Sequence, residues 1–421
     1  MNNKKFQIGR SYPLGQNQLI IRGILIIVIF IQFLSVFQLS MNRFYNFDEF
    51  KVLYSSAALL RGKEYFGDRI ESHFPFVPVI FSWVIGATGF QATSLLAARF
   101  IIFSCLTVIL IFSYKICKLI YNDKVLGLVC ISFILSSITF IHKGIEIRHD
   151  VFNTMFNIGG CYYAITYFQK MKRRQLIYSA FLLGCSLAAT QKSIIWNMGI
   201  ICPVFFYIFK SIGFKETIKL AFQYVSVYSI PLLMVISYVI VLNNDSIYDF
   251  YNVAIVGEVH NLSPPTKGNS FPYSKTEILN RLMYENGALY SIGIIAMVYY
   301  LFSRKIDDQS IKIIASWGMV GLLFYLYMRR PFYQSFLPTI PALSILCSFF
   351  VKDTINKYWR GKAKWVRSWA FMVCIFLVVF FPFKMVASQA NVLNIKKIKL
   401  PSMRSQMENV AFCTDHLKPS D

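Results

Sequence analysis

Long apolar runs alternate with short polar and basic segments along almost the whole chain. A helix needs about 20 apolar residues to cross the roughly 30 Å hydrocarbon core of a bilayer. The pattern predicts eleven spans, at 23–40, 96–114, 125–141, 151–169, 176–189, 197–209, 220–242, 287–303, 313–328, 335–351 and 369–386. The chain therefore reads as an all-α polytopic membrane protein.

One apolar run is left out of that set. Phe76 to Gly89 is short, carries Pro78 and follows Pro75. It is expected to lie at the outer membrane surface, as a juxtamembrane helix or a re-entrant segment. If it crossed, every later loop would change sides, and Lys170-Met171-Lys172-Arg173-Arg174 would face out. Cytoplasmic loops normally carry the basic excess. With the N-terminus inside, the inner segments hold 23 of the 43 Lys and Arg residues, and much longer outer segments hold the other 20. Acidic residues go the other way, five inside and 15 outside.

This orders the chain into a cytoplasmic N-terminus at 1–22, a transmembrane domain at 23–386 and a short extracytoplasmic tail at 387–421. The domain has a first outer loop at 41–95 and a long outer loop at 243–285. The first span has no small-x-small cleavage site after it and reads as a retained anchor. The tail is too small for a core of its own.

The net charge of +23 would suit a nucleic-acid partner, but the cations sit in clusters between apolar runs, so that class is excluded. Eight of the nine cysteines lie in or beside apolar runs and none has disulfide or metal spacing. No Walker loop, Rossmann fingerprint or internal repeat is present.

The ionisable residues that remain converge on the outer side. Asp48 and Glu49 stand at the head of the first outer loop, in Asn46-Phe47-Asp48-Glu49-Phe50. Adjacent carboxylates repel, and one of them suits a general base for an acceptor hydroxyl. The plainer role is a helix N-cap. Glu146-Ile147-Arg148-His149-Asp150 closes the loop after the third span. A helix there would put Glu146 and Asp150 on one face; the plainer alternative is a polar loop with an Arg–carboxylate pair. Arg99 and Lys192 lie at span edges, where an Arg fork suits phosphate oxygens and a basic side chain equally suits snorkelling to headgroups. Arg329 and Arg330 face outward against the basic trend, which favours an anionic partner. Tyr333 beside them suits either a phosphate or the interfacial aromatic belt. The 243–285 loop is long enough to serve as a lid.

The order of these motifs resembles the GT-C membrane glycosyltransferases. Within them it is most similar to the branch of protein O-mannosyltransferases and bacterial lipid A aminoarabinose transferases. The resemblance rests on Asp48-Glu49, on Ala57 to Asp68, on His73-x-Pro75, on Ala97-Ala98-Arg99, on the acidic second outer loop, and on Tyr333-x-x-x-Leu337-Pro338. It implies a GT-C fold with about eleven transmembrane helices and juxtamembrane helices in the first outer loop. It implies a polyprenyl-phosphate-linked sugar donor, a glycan, lipid or protein acceptor, and reaction on the outer face of a bacterial inner membrane. Asp48 would be the catalytic base with Glu49 beside it, and Glu146 and Asp150 would take the second acidic position. His73, Arg99, Lys192, Arg330 and Tyr333 would hold the donor phosphate. This branch generally needs no metal, so no metal ligand or cofactor is expected. Two other classes fit the same topology: an O-antigen polymerase or ligase using the outer arginines, and a lipid-linked glycan flippase or transporter.

Overall fold

The computed structural model describes residues 17–43, 46–68, 73–89, 91–243, 245–256, 275–303, 308–328 and 333–358, with positions 373, 375, 376 and 379. These residues are helical, with no strand among them. The elements are α1 Asn17–Asn42, α2 Phe47–Leu60, α3 Phe76–Thr88, α4 Ala92–Tyr121, α5 Lys124–Leu135, α6 Ile138–Gly144, α7 His149–Lys170, α8 Arg173–Ala189, α9 Ser193–Ile212, α10 Phe214–Asn243 and α11 Ile247–Phe250. A π-helical turn at Tyr251–Val256 follows. The remaining elements are α12 Lys275–Phe302, α13 Gln309–Tyr327, a 3₁₀ turn at Tyr333–Thr339 and α14 Ile340–Tyr358.

Among the described residues six helices are long and apolar enough to cross a membrane: those at Leu19–Asn42, Thr93–Tyr121, Ser193–Ile212, Phe214–Val241, Gln309–Tyr327 and Gln334–Lys357. α7, α8 and α12 occupy three more predicted spans but are less apolar. The span expected at 369–386 falls almost wholly outside the described residues. α3 has 13 residues, about 20 Å of helix, too short to cross. It buries Val77, Phe81 and Ile85 and packs on α2, as expected of a juxtamembrane helix.

The span expected at 125–141 is not one helix. It breaks between α5 and α6 with a 73° bend. Ser137 caps α6 by accepting from the Phe140 N–H, and the Ser136 carbonyl at the break accepts from the Asn286 side chain at 2.9 Å. Asn286 is itself the kink of α12, with φ −157° and ψ 57°. Freed backbone groups inside a membrane protein must find such partners. Here two helix breaks meet, and the bend directs residues 145–148 toward the end of the bundle where α2 begins.

The turns at the other end are closed by short caps. Asp123 and Asp308 accept first-turn N–H groups of α5 and α13. Asn122 and Met171 end α4 and α7 in the left-handed conformation. Tyr121 and Tyr300 each donate to Asp353 at 2.7 Å, and Lys352 pairs with Asp123 at 2.8 Å. α14 with the 3₁₀ turn before it is the most deeply buried of the six membrane-length helices, whereas α1 and α10 lie at the surface of the bundle. α8 and α10 approach so closely that a Cβ on Gly184 would stand 2.2 Å from the Tyr228 carbonyl oxygen.

Candidate active site

α2 starts at Asn46, whose side chain accepts from the first-turn N–H groups, while Glu49 reaches back to the Asn46 N–H at 3.3 Å. This is a capping box. It gives the two adjacent carboxylates different surroundings. Glu49 is fully buried. Its Oε2 pairs with Arg99 Nη2 at 2.9 Å, and its Oε1 accepts from the Ile147 N–H at 3.4 Å. Arg99, also buried, donates to the Arg43 carbonyl at 3.1 Å. The pair thus ties α4 to the end of α1 and the head of α2. Asp48 is neither the N-cap nor buried: its side chain is 41% exposed and pairs with Arg148 Nη1 at 2.9 Å.

Arg148 is the hub of the second acidic motif. It bonds Glu146 at 2.5 Å and lies 3.9 Å from Asp150. Glu146 and Asp150 do not share a helix face as the spacing suggested. α7 starts only at His149, after Arg148 as its N-cap, and Arg148 joins the two carboxylates instead. Glu146 also meets Arg43 Nη2 at 2.9 Å, Lys143 Nζ at 3.0 Å and Asn46 Nδ2 at 3.2 Å. Burial alone would push its carboxyl up, but Arg148, Arg43 and Lys143 outweigh this and hold it at about 2, below the usual 4.5. Burial would pull Arg148 down, and Glu146, Asp150 and Asp48 reverse that and hold it above its ordinary value.

His73 stacks on His149, ring centroids 4.7 Å apart and 17° between planes. His149 Nδ1 lies 3.0 Å from the Ala189 carbonyl oxygen. The first outer loop therefore meets the head of α7 and the end of α8. Lys192 follows three residues after Ala189, as the N-cap of α9, half-buried and engaged by a neighbour. Arg330 lies outside the described residues. Tyr333 opens the 3₁₀ turn, and its side chain is likewise outside what is described. Asp48, Glu49, His73, Arg99, Glu146 and Asp150 are thus gathered around the heads of α2 and α7.

Sequence reasoning missed three contributors. Arg43 is a cation just after the first span, in a segment the charge pattern assigns to the outer side as it does Arg329 and Arg330, and it could have been found the same way. Lys143 reads as an ordinary loop residue. Asp245 gave no signal: its buried carboxylate accepts from the N–H groups of Tyr65 at 2.7 Å, Phe66 at 2.9 Å and Gly67 at 3.0 Å. It pins the first outer loop to the start of the long one. Among the described residues no group of three His, Cys, Asp or Glu side chains is arranged to hold a metal ion.

A helical bundle of this order, with its acidic loops gathered at one end, has a counterpart of the same fold among solved structures. It is similar to the crystal structure of ArnT from Cupriavidus metallidurans bound to undecaprenyl phosphate. The TM-score is 0.58 at 13% identity, over 94% of this chain and 75% of that one. The apo state of that ArnT gives a TM-score of 0.56 at 13% identity, over 94% and 74%. At this identity the likeness is one of fold. No protein-family model matches the chain, and no curated protein matches it.

Proposed function

We propose that this protein is an integral-membrane glycosyltransferase that moves a hexosyl or pentosyl group from a polyprenyl-phosphate donor to an acceptor hydroxyl on the extracytoplasmic face. The observation that carries this reading is the Asp48 carboxylate. It is half-exposed and held by Arg148, at one end of a bundle whose fold is shared with a protein crystallised with undecaprenyl phosphate. Asp48 takes the proton of the acceptor hydroxyl. The hydroxyl oxygen bonds the anomeric carbon, and the bond from that carbon to the phosphate oxygen breaks, with its electron pair leaving on the polyprenyl phosphate. Fixed cations lower the barrier by meeting the charge that develops on the leaving group. His73, Lys192, Arg330 and Tyr333 are assigned to that side of the reaction. The buried Glu49–Arg99 pair positions the head of α2. The reaction needs no metal ion in this reading.

The protein sits in a bacterial inner membrane with its N-terminus in the cytoplasm and its C-terminus outside. Cysteines introduced at the exposed Arg61 and Arg173 should then react from outside and inside respectively. The functional test is transfer from polyprenyl-phosphate sugars by the purified protein in liposomes, with and without a chelator. Transfer that survives the chelator is expected. Failure both to transfer and to bind undecaprenyl phosphate would contradict the reading.

A further inference from the structure

We propose that the donor phosphate and Asp48 compete for Arg148, so that arrival of the donor releases the Asp48 carboxylate to serve as the base. This rests on the polyprenyl-phosphate reading above. Within the ion-pair network, three cations, Arg43, Lys143 and Arg148, meet three carboxylates, Asp48, Glu146 and Asp150. Arg99 and Glu49 form a separate neutral pair. Among the described residues the network is balanced, so an anionic phosphate entering it competes with a carboxylate for a cation.

The geometry selects which carboxylate gives way. The Glu146 side chain is 3% exposed and holds Arg43 and Lys143 besides Arg148, so it stays compensated if Arg148 turns. Asp150 is 18% exposed and 3.9 Å from Arg148, a weak contact with little to lose. Asp48 is 41% exposed, and Arg148 is the cation that pairs with it. It is the most exposed of the three carboxylates and can turn to water while the phosphate takes its place on the buried Arg148. The Arg148 guanidinium stays charged at any working pH and presents a planar fork that two phosphate oxygens fit as well as a carboxylate does. While paired, that guanidinium holds Asp48 Oδ2 at 2.9 Å. Exchange of partners then couples two events: the phosphate gains a bidentate contact, and Asp48 loses its charge partner only once a donor is present.

The test is a double-mutant cycle on binding of undecaprenyl phosphate to the full-length protein in detergent or nanodiscs, with no turnover involved. Asp48→Asn removes the competitor and should tighten binding, by about tenfold if a charge-assisted contact is released to the phosphate. Arg148→Ala should weaken binding by about tenfold or more. In the Arg148→Ala background, Asp48→Asn should no longer tighten binding. A purely structural role for Arg148 would not give a gain of affinity on loss of Asp48. Unchanged or weaker binding by Asp48→Asn would overturn the exchange, as would a gain that persists without Arg148. If Arg148→Ala does not fold, Arg148→Lys takes its place in the cycle: it keeps the charge but loses the fork, and should reduce the gain from Asp48→Asn. No binding by the unmodified protein would overturn the polyprenyl-phosphate reading and this inference with it, whereas binding without the exchange signature overturns the inference alone.

Discussion

Arg148 Nη1 and Asp48 Oδ2 lie 2.9 Å apart, joining the N-cap of α7 to the first turn of α2. The contact brings the two acidic motifs of the sequence into one site. Each carboxylate around it has a different environment, and those environments separate structural from chemical roles.

Glu49 and Arg99 are predicted to act as a structural unit. A buried ion pair that loses one partner leaves a desolvated charge, which destabilises by about 3–5 kcal/mol, whereas replacing both partners by apolar groups is often near neutral. Glu49→Gln should therefore lower the thermal midpoint in detergent sharply. Combining it with Arg99→Met should restore much of the loss. Equal and additive losses from the two substitutions would show that the pair at 2.9 Å does not act as one unit.

Glu146 gives a pH signature. Its folded-state value of about 2 lies below the ordinary 4.5. A lowered value means stability that is fully present above about 4.5 and is lost as the pH falls toward 2. Glu146→Gln should destabilise the protein at neutral pH by about 3 kcal/mol, because Arg43, Lys143 and Arg148 lose their shared counter-charge. The deficit relative to the unmodified protein should shrink in acid. Thermal midpoints measured from neutral pH down to the acid limit of the detergent system decide it, and a deficit independent of pH would contradict the assignment.

Asp245→Ala should loosen the first outer loop. It strands the N–H groups of Tyr65, Phe66 and Gly67, and an unpaired buried polar group costs about 1–3 kcal/mol. Limited proteolysis from the outer side should cut within residues 61–68 faster, with the rest of the bundle intact. An unchanged cleavage rate would remove Asp245 from the role of pin.

Much of the fold was legible in the sequence because lipid leaves little choice. A backbone in hydrocarbon must bond to itself, so apolar runs became helices wherever they are described, and short prolyl Phe76–Thr88 became α3, a helix too short to cross. The break between α5 and α6 was not legible. It depends on Asn286 reaching Ser136 from a distant helix, and sequence periodicity carries no information about that partner. In the site, the charge pattern grouped Asp48, Glu49, Arg99, Glu146 and Asp150 on one side, and the structure brings them close together. It could not say that Glu49 would be buried and Asp48 exposed, because Asn46 sets the start of α2 and thereby the direction of each carboxylate. Arg148 was read as a loop partner rather than a hub, since its contact with Asp48 is made only by the packing of the two loops.

The central claim is that Asp48 accepts the proton of the acceptor hydroxyl, and Asp48→Asn tests it most directly. The substitution keeps size and hydrogen-bonding shape but cannot take up that proton. Sugar transfer from a polyprenyl-phosphate donor in liposomes should fall by about two orders of magnitude or more. The variant should remain folded, because Asp48 is half-exposed and outside the buried pairs, and it should still bind undecaprenyl phosphate. Near-normal turnover by Asp48→Asn would contradict the account.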